Sequence, residues 1–123
     1  MTEKVKPYTE LNVWKKSREL TNFIYTLTKS FPAQELYGLT SQIRRCSVSV
    51  PSNIAEGSGR NHAKDSIQFF HIARGSLYEL ETQAYLAFDQ KYINNKDLDS
   101  ALQMITECKK LINGYIRYFR TLT

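Results

Sequence analysis

The chain has little in it that bends or interrupts secondary structure. Three prolines and five glycines in 123 residues leave long stretches with no turn former, which argues against a fold of many short strands. No apolar run approaches the roughly 18 residues a membrane span needs, so no membrane association is expected. The N-terminal stretch MTEKVKPYTELNV lacks the apolar core of a secretory signal. Cys46 and Cys108 lie far apart in no metal or redox spacing, and reduced thiols in a cytoplasmic protein are expected. The only histidines are His62 and His71, and neither follows a glutamate by three residues, so the Glu-x-x-His pairs of a di-iron bundle are missing. No Ser-His-Asp or Cys-His arrangement can be assembled from them either. A non-enzymatic protein with no metal and no cofactor is the expectation. Acids are missing too from the end of the chain, where none follows Glu107.

What is present is an ordinary core-forming composition, 41% hydrophobic and 24% charged, with a formal charge of +5 and a pI near 9.2. That length and composition suit one domain, residues 1–123, able to bury a core without disulfides. The basic balance points to an anionic partner, with nucleic acid the first choice, against the plainer reading of charge kept for solubility.

The stretch SVSVPSNIAEGSGR, residues 47–60, is locally ambiguous. Ser47 to Val50 alternate like a strand, and Gly57-Ser58-Gly59-Arg60 would then be a phosphate-cradling loop. However, Leu36, Leu39, Ile43, Cys46, Val50 and Ile54 recur at steps of three and four straight through it, which is a helix stripe. No Gly-Lys-Ser/Thr follows, so the phosphate-loop reading fails. Proline inside the helix removes one backbone hydrogen bond and crowds the carbonyl of Ser47, which predicts a kink at Pro51, with Ser47 and Ser49 placed to take up the freed group. Gly57 and Gly59 are expected to end this helix as left-handed caps.

The same periodicity runs through Val13, Ser17, Leu20, Ile24, Leu27 and Phe31, and through Phe70, Ala73, Leu77, Leu80, Ala84 and Ala87. It returns in Leu98, Leu102, Ile105, Cys108, Ile112, Tyr115, Phe119 and Leu122. With Pro32, Asn61 and Asn94–Asn95 as starting signals, helices are expected at about 10–30, 33–57, 62–89 and 97–121. Four long amphipathic helices with short connections predict an all-α fold, an antiparallel up-down-up-down four-helix bundle with helix two kinked at Pro51.

The basic residues fall into clusters: Lys15, Lys16 and Arg18; Arg44 and Arg45; and Lys109, Lys110, Arg117 and Arg120 beside Tyr115, Tyr118 and Phe119. Cations beside exposed aromatics suit phosphate contact with base stacking, so these nine are the candidate nucleic-acid contacts. The competing reading is that they satisfy an acidic helix of another subunit or the dipole at a helix C-terminus. Asn53, Glu56, Arg74, Gly75 and Glu81 are candidate structural or interface residues. Glu56 or Glu81 is expected to pair with Arg74 or Arg44, and Gly75 to permit a close helix approach. Trp14, Phe23, Phe69, Ile72 and Leu86 fall outside the main stripes and could form a second, intersubunit face.

The segments LNVWKKSREL, FPAQELYGLTSQIRRCSVSVPSNIAEGSGR and FFHIARGSLYELETQAYLA resemble the bacterial 23S rRNA intervening-sequence proteins, most specifically in NIAEGSGR and ARGSLYELE. The resemblance implies an up-down four-helix bundle assembling into a ring-like homopentamer, with no established enzyme activity. Some members are encoded within intervening sequences of the large-subunit rRNA gene. Related bundles are accessory proteins of diversity-generating retroelements that bind nucleic acid and a reverse transcriptase. The combined expectation is a non-enzymatic oligomer binding structured RNA through basic surfaces. The alternative is a protein-interaction scaffold, including the reverse-transcriptase accessory role.

Overall fold

The computed structural model describes residues 7–123, and among these every regular element is helical. The elements are α1 (Asn12–Thr28), α2 (Leu39–Ser58), α3 (Ala63–Asp89) and α4 (Asn95–Arg120). Short 3-10 turns, Tyr8–Glu10 and Ala33–Glu35, precede α1 and α2. Each long helix packs on two others, α1 on α2 and α4, and α3 on α2 and α4. The four therefore enclose one core.

The three-four stripes form that core. Val13, Leu20 and Ile24 of α1, Ile43, Val50 and Ile54 of α2, Phe70, Leu77 and Leu80 of α3, and Ile105, Cys108 and Ile112 of α4 are all buried. Full burial of one such aliphatic side chain contributes roughly 1.5–3 kcal/mol. Near the end of α4 the buried position is Ile116 rather than Tyr115, and Leu122 is exposed beyond the last turn.

α2 starts at Leu39, six residues later than the helix expected from 33. Pro32 opens a 3-10 turn instead, and Gly38, with φ −109° and ψ −117°, breaks the register before α2. A Glu35 carboxylate oxygen accepts the Leu39 N–H at 3.1 Å, and its other oxygen accepts the Tyr92 hydroxyl at 2.7 Å. The hydroxyl first, and then the N–H, hold that carboxyl below its ordinary pKa. Leu36 is left exposed outside the stripe. The start of α3 is also different from expectation: His62, not Asn61, is its capping residue, with no side-chain hydrogen bond. Asn94 caps α4, its side chain accepting the Asp97 N–H at 2.8 Å.

α2 runs on through Pro51. The carbonyl of Ser47, which loses its helical donor there, is met by Thr21 of α1, whose hydroxyl stands 2.9 Å away and 3.0 Å from the Ser17 carbonyl. The serines expected to compensate do not: Ser47 donates to the Arg44 carbonyl and Ser49 faces Ser76. Thr21→Val keeps the shape and removes the donor, so a loss of about 1–2 kcal/mol is expected in denaturant unfolding. In a Pro51→Ala background, where the backbone N–H returns, the same change should be nearly neutral.

The glycine roles are reversed. Neither Gly57 nor Gly59 is left-handed: no described glycine has positive φ, and Gly59 sits at φ −92°. Gly57 is buried inside α2, where an added Cβ would lie 2.7 Å from Phe70 Cε1 and 3.0 Å from Phe69 Cβ. Gly75, the expected site of close approach, has nothing within 4 Å of such a Cβ. The tight α2–α3 contact is at Gly57.

Candidate nucleic-acid interface

The C-terminal half of α4 presents a basic outer surface because its charges follow helical spacing. Lys110 and Arg117 lie two turns apart, and Arg120 lies one turn further on. All three are exposed. Arg117 and Arg120 also occupy the last turn, where cations favour the helix dipole. No described acid follows them, and neither arginine takes part in an ion pair among the described residues.

On the side facing α3, this surface continues through Arg74. Its guanidinium donates to Asn113 Oδ1 at 3.0 Å and lies 3.0 Å from His71 Nδ1. An arginine N–H can only donate, so His71 Nδ1 accepts and the imidazole is the neutral Nε2–H form. Burial first, then Arg74 and Arg120, hold the His71 pKa below its ordinary value, consistent with that tautomer. Arg74 is thus positioned by two neutral acceptors and keeps its full charge.

Of the aromatics beside these cations, Phe119 and Tyr115 are drawn into packing against Phe70, with ring centroids 4.9 and 6.2 Å away. Tyr118 remains 58% exposed, enough of its ring to stack on a base. It borders a shallow apolar groove with Lys110, Leu111, Gly114 and Tyr115.

The remaining candidates are more dispersed. Lys15 and Arg45 are at the surface, and Arg18 lies over the Trp14 ring at 5.4 Å. Lys16 reaches Glu19 and Glu107, each at 3.6 Å, pairs that contribute little where both partners are solvated. Arg44 donates to Thr28 Oγ1 at 2.7 Å and covers the Tyr25 ring at 4.8 Å. Lys109 is enclosed, 2.9 Å from Glu81 and 3.9 Å from the centroid of Tyr78. Arg44 and Lys109 are therefore engaged within the chain.

The structural candidates pair differently from expectation within the chain. Glu56 meets Arg60, just past the end of its own helix, at 3.0 Å, and Glu81 meets Lys109. Arg74 and Arg44 have the neutral partners already described, while Glu56 and Glu81 are taken by Arg60 and Lys109. Asn53 donates to the Ser49 carbonyl at 2.8 Å and to its hydroxyl at 3.0 Å, part of a polar α2–α3 contact that includes Ser76. Of the five surplus apolar residues, Trp14 and Phe23 pack on the core, while Phe69 lies beneath Arg60. Ile72 and Leu86 stay about half exposed on α3.

Sequence reasoning missed His71 and Asn113. The Arg74–Asn113 contact spans 39 positions, and no local pattern announces it. Cys46 and Cys108 are both buried, and burial pushes each thiol up to about 12, well away from nucleophilic character.

No helix among the described residues is long and apolar enough to cross a membrane. Curated proteins include no match to the chain. The chain is similar to a crystal structure of a protein of unknown function, from the S23 ribosomal protein family of Bacteroides thetaiotaomicron VPI-5482. Identity is 28%, the match covers 85% of this chain and 97% of that one, and the TM-score is 0.79. The family model for the 23S rRNA-intervening sequence protein matches residues 9–114. With nearly the whole chain matched and the four-helix core in common, the protein belongs to the 23S rRNA-intervening sequence protein family.

Proposed function

We propose that this protein is a non-enzymatic, cytoplasmic, single-domain bundle that assembles with copies of itself, as a homopentamer, and binds structured RNA through basic surfaces. The observation that carries this reading is the basic surface of the C-terminal half of α4 with Arg74 of α3, where Arg74, Arg117 and Arg120 meet no carboxylate among the described residues. The family description supports RNA as the anion, since it ties these proteins to intervening sequences of 23S rRNA. Repetition of a modest basic surface around an oligomer would raise affinity through avidity.

Helix order in this proposal is up-down-up-down. At about 1.5 Å per residue, the 27 residues of α3 span roughly 40 Å, and the connections at 59–62 and 90–94 are too short to return along that length. The bend in α2 at Pro51 follows from the missing N–H and from Thr21 drawing the Ser47 carbonyl toward α1. Self-assembly draws support from α3, where Ile72 and Leu86 are exposed and the open space above Gly75 leaves room for another helix. A monomeric mass at micromolar concentration would count against assembly.

The test is binding of a structured rRNA fragment across a salt series, beside duplex DNA. Log affinity is expected to fall linearly with log salt, and Arg117→Glu with Arg120→Glu to reduce the slope by about one for each phosphate no longer neutralised. Absence of binding at low salt would favour the scaffold reading, including the reverse-transcriptase accessory role, in which the α3 face receives a protein partner.

A further inference from the structure

We infer that the groove on the C-terminal half of α4 seats one unpaired nucleobase of an RNA loop, with Lys110 and Arg117 meeting the phosphates on either side of it. This rests on the RNA reading and deepens it, by naming which part of a structured RNA the protein holds. The groove is lined by Lys110, Leu111, Gly114, Tyr115 and Tyr118, spaced by three and four and so neighbours along one side of the helix. Its open centre is Gly114. Glycine is disfavoured in a helix interior, and no packing among the described residues calls for it here: the one side chain an added Cβ would meet is Arg117, at 3.9 Å. The missing side chain leaves space into which a flat ring can settle. The same distance places the Arg117 guanidinium at the edge of the groove, and Lys110 stands one turn before Gly114. Tyr118 forms a wall, its ring nearly perpendicular to that of Phe119 with centroids 5.6 Å apart, while the residue stays 58% exposed. Tyr115 is held in turn against Phe70 and Phe119. The stacking surface is therefore set before a ligand arrives, which lowers the ordering cost of binding.

Charge decides the occupant. Lys110 and Arg117 are exposed, neither is in an ion pair among the described residues, and no acid follows Glu107. An apolar helix of another protein would cover the groove beside two unmatched cations. A nucleotide within a strand brings a flat ring and a phosphate on each side of it. That matches an apolar floor bracketed by cations two turns, about 10 Å, apart along the axis. With neither amide nor carboxylate side chains in the groove, a base is held by its face rather than by its hydrogen-bonding edge. Only an unstacked base offers that face, which selects loops over paired stems.

The experiment titrates the intact protein, by fluorescence anisotropy, into a labelled RNA hairpin with an unpaired adenosine loop and into a blunt RNA duplex of the same charge. The hairpin is expected to bind more tightly than the duplex. Tyr118→Ala should weaken hairpin binding by roughly 5- to 150-fold, while Tyr118→Phe, which keeps the ring, should bind like wild type. Tyr118→Ala should also leave the slope of log affinity against log salt unchanged, because stacking neutralises no phosphate. Gly114→Leu fills the groove from an open position and should bring hairpin binding down to the level of the duplex, with thermal unfolding and mass in solution unchanged. Equal hairpin binding by wild type, Tyr118→Ala and Gly114→Leu would overturn the base seat and leave the RNA reading standing. No binding of either RNA at low salt would overturn both. A smaller mass in solution for Gly114→Leu would overturn the seat by making the groove a contact between copies of the chain.

Discussion

Phe70→Ala is expected to lower the unfolding free energy by about 3–5 kcal/mol, the range for emptying a buried aromatic position. Phe70 is 1% exposed and closes the end of the core where α2, α3 and α4 meet. Its ring stands edge-on to Phe119 at 4.9 Å, tilts against Tyr115 at 6.2 Å and touches the face of α2 at Gly57. Truncation empties all of this space together, and the facing helices cannot collapse into the gap without moving along their length. For a chain of this size the loss corresponds to a fall in Tm of roughly 10–20 °C in calorimetry. A fall under about 3 °C would mean that the aromatic cluster does not hold the helices at this end.

The second large effect sits on the other side of the same packing. Gly57→Leu is expected to cost about 3 kcal/mol or more, because even a Cβ there meets Phe70 Cε1 at 2.7 Å and Phe69 Cβ at 3.0 Å. The first of these is a packed ring rather than the free end of a flexible chain. Gly57→Ala sets two effects in opposition: overpacking of about 1–3 kcal/mol and a helix-propensity gain of about 1 kcal/mol, so a net loss of about 0–2 kcal/mol remains. Gly75→Ala is the matched comparison. With no atom within 4 Å of its Cβ, only the propensity gain acts, and the folded chain should become slightly more stable. Equal responses at Gly57 and Gly75 would sink the assignment of the close approach to Gly57. A Gly57→Ala, Phe70→Leu double variant should lose less than the sum of its parts, since the smaller side chain vacates the space the new methyl needs.

The candidate site was legible in parts. The absence of acid after Glu107 marks α4 as the basic helix, and the spacing of Lys110 and Arg117 places them on one outer face. Periodicity could not foretell that Lys109, one residue from Lys110, turns inward to Glu81 and Tyr78. One residue is about 100° of rotation on a helix, the difference between facing solvent and facing a neighbouring helix. His71 and Arg74 sit one turn apart on α3, but the Asn113 that fixes Arg74 comes from α4, so the local pattern shows only half of the arrangement.

By itself, then, the sequence determined the helical class, the four core stripes and the charge imbalance, all properties of residues three and four apart on a single helix. The tertiary structure decided which residues of different helices meet: Gly57 beneath Phe70, Thr21 at the Ser47 carbonyl, Asn113 against Arg74. The reason is physical. Periodicity sets the angle of a side chain around its own helix axis. The axial offset and rotation between two helices come from packing and connection lengths, and these decide which outward positions become a seam.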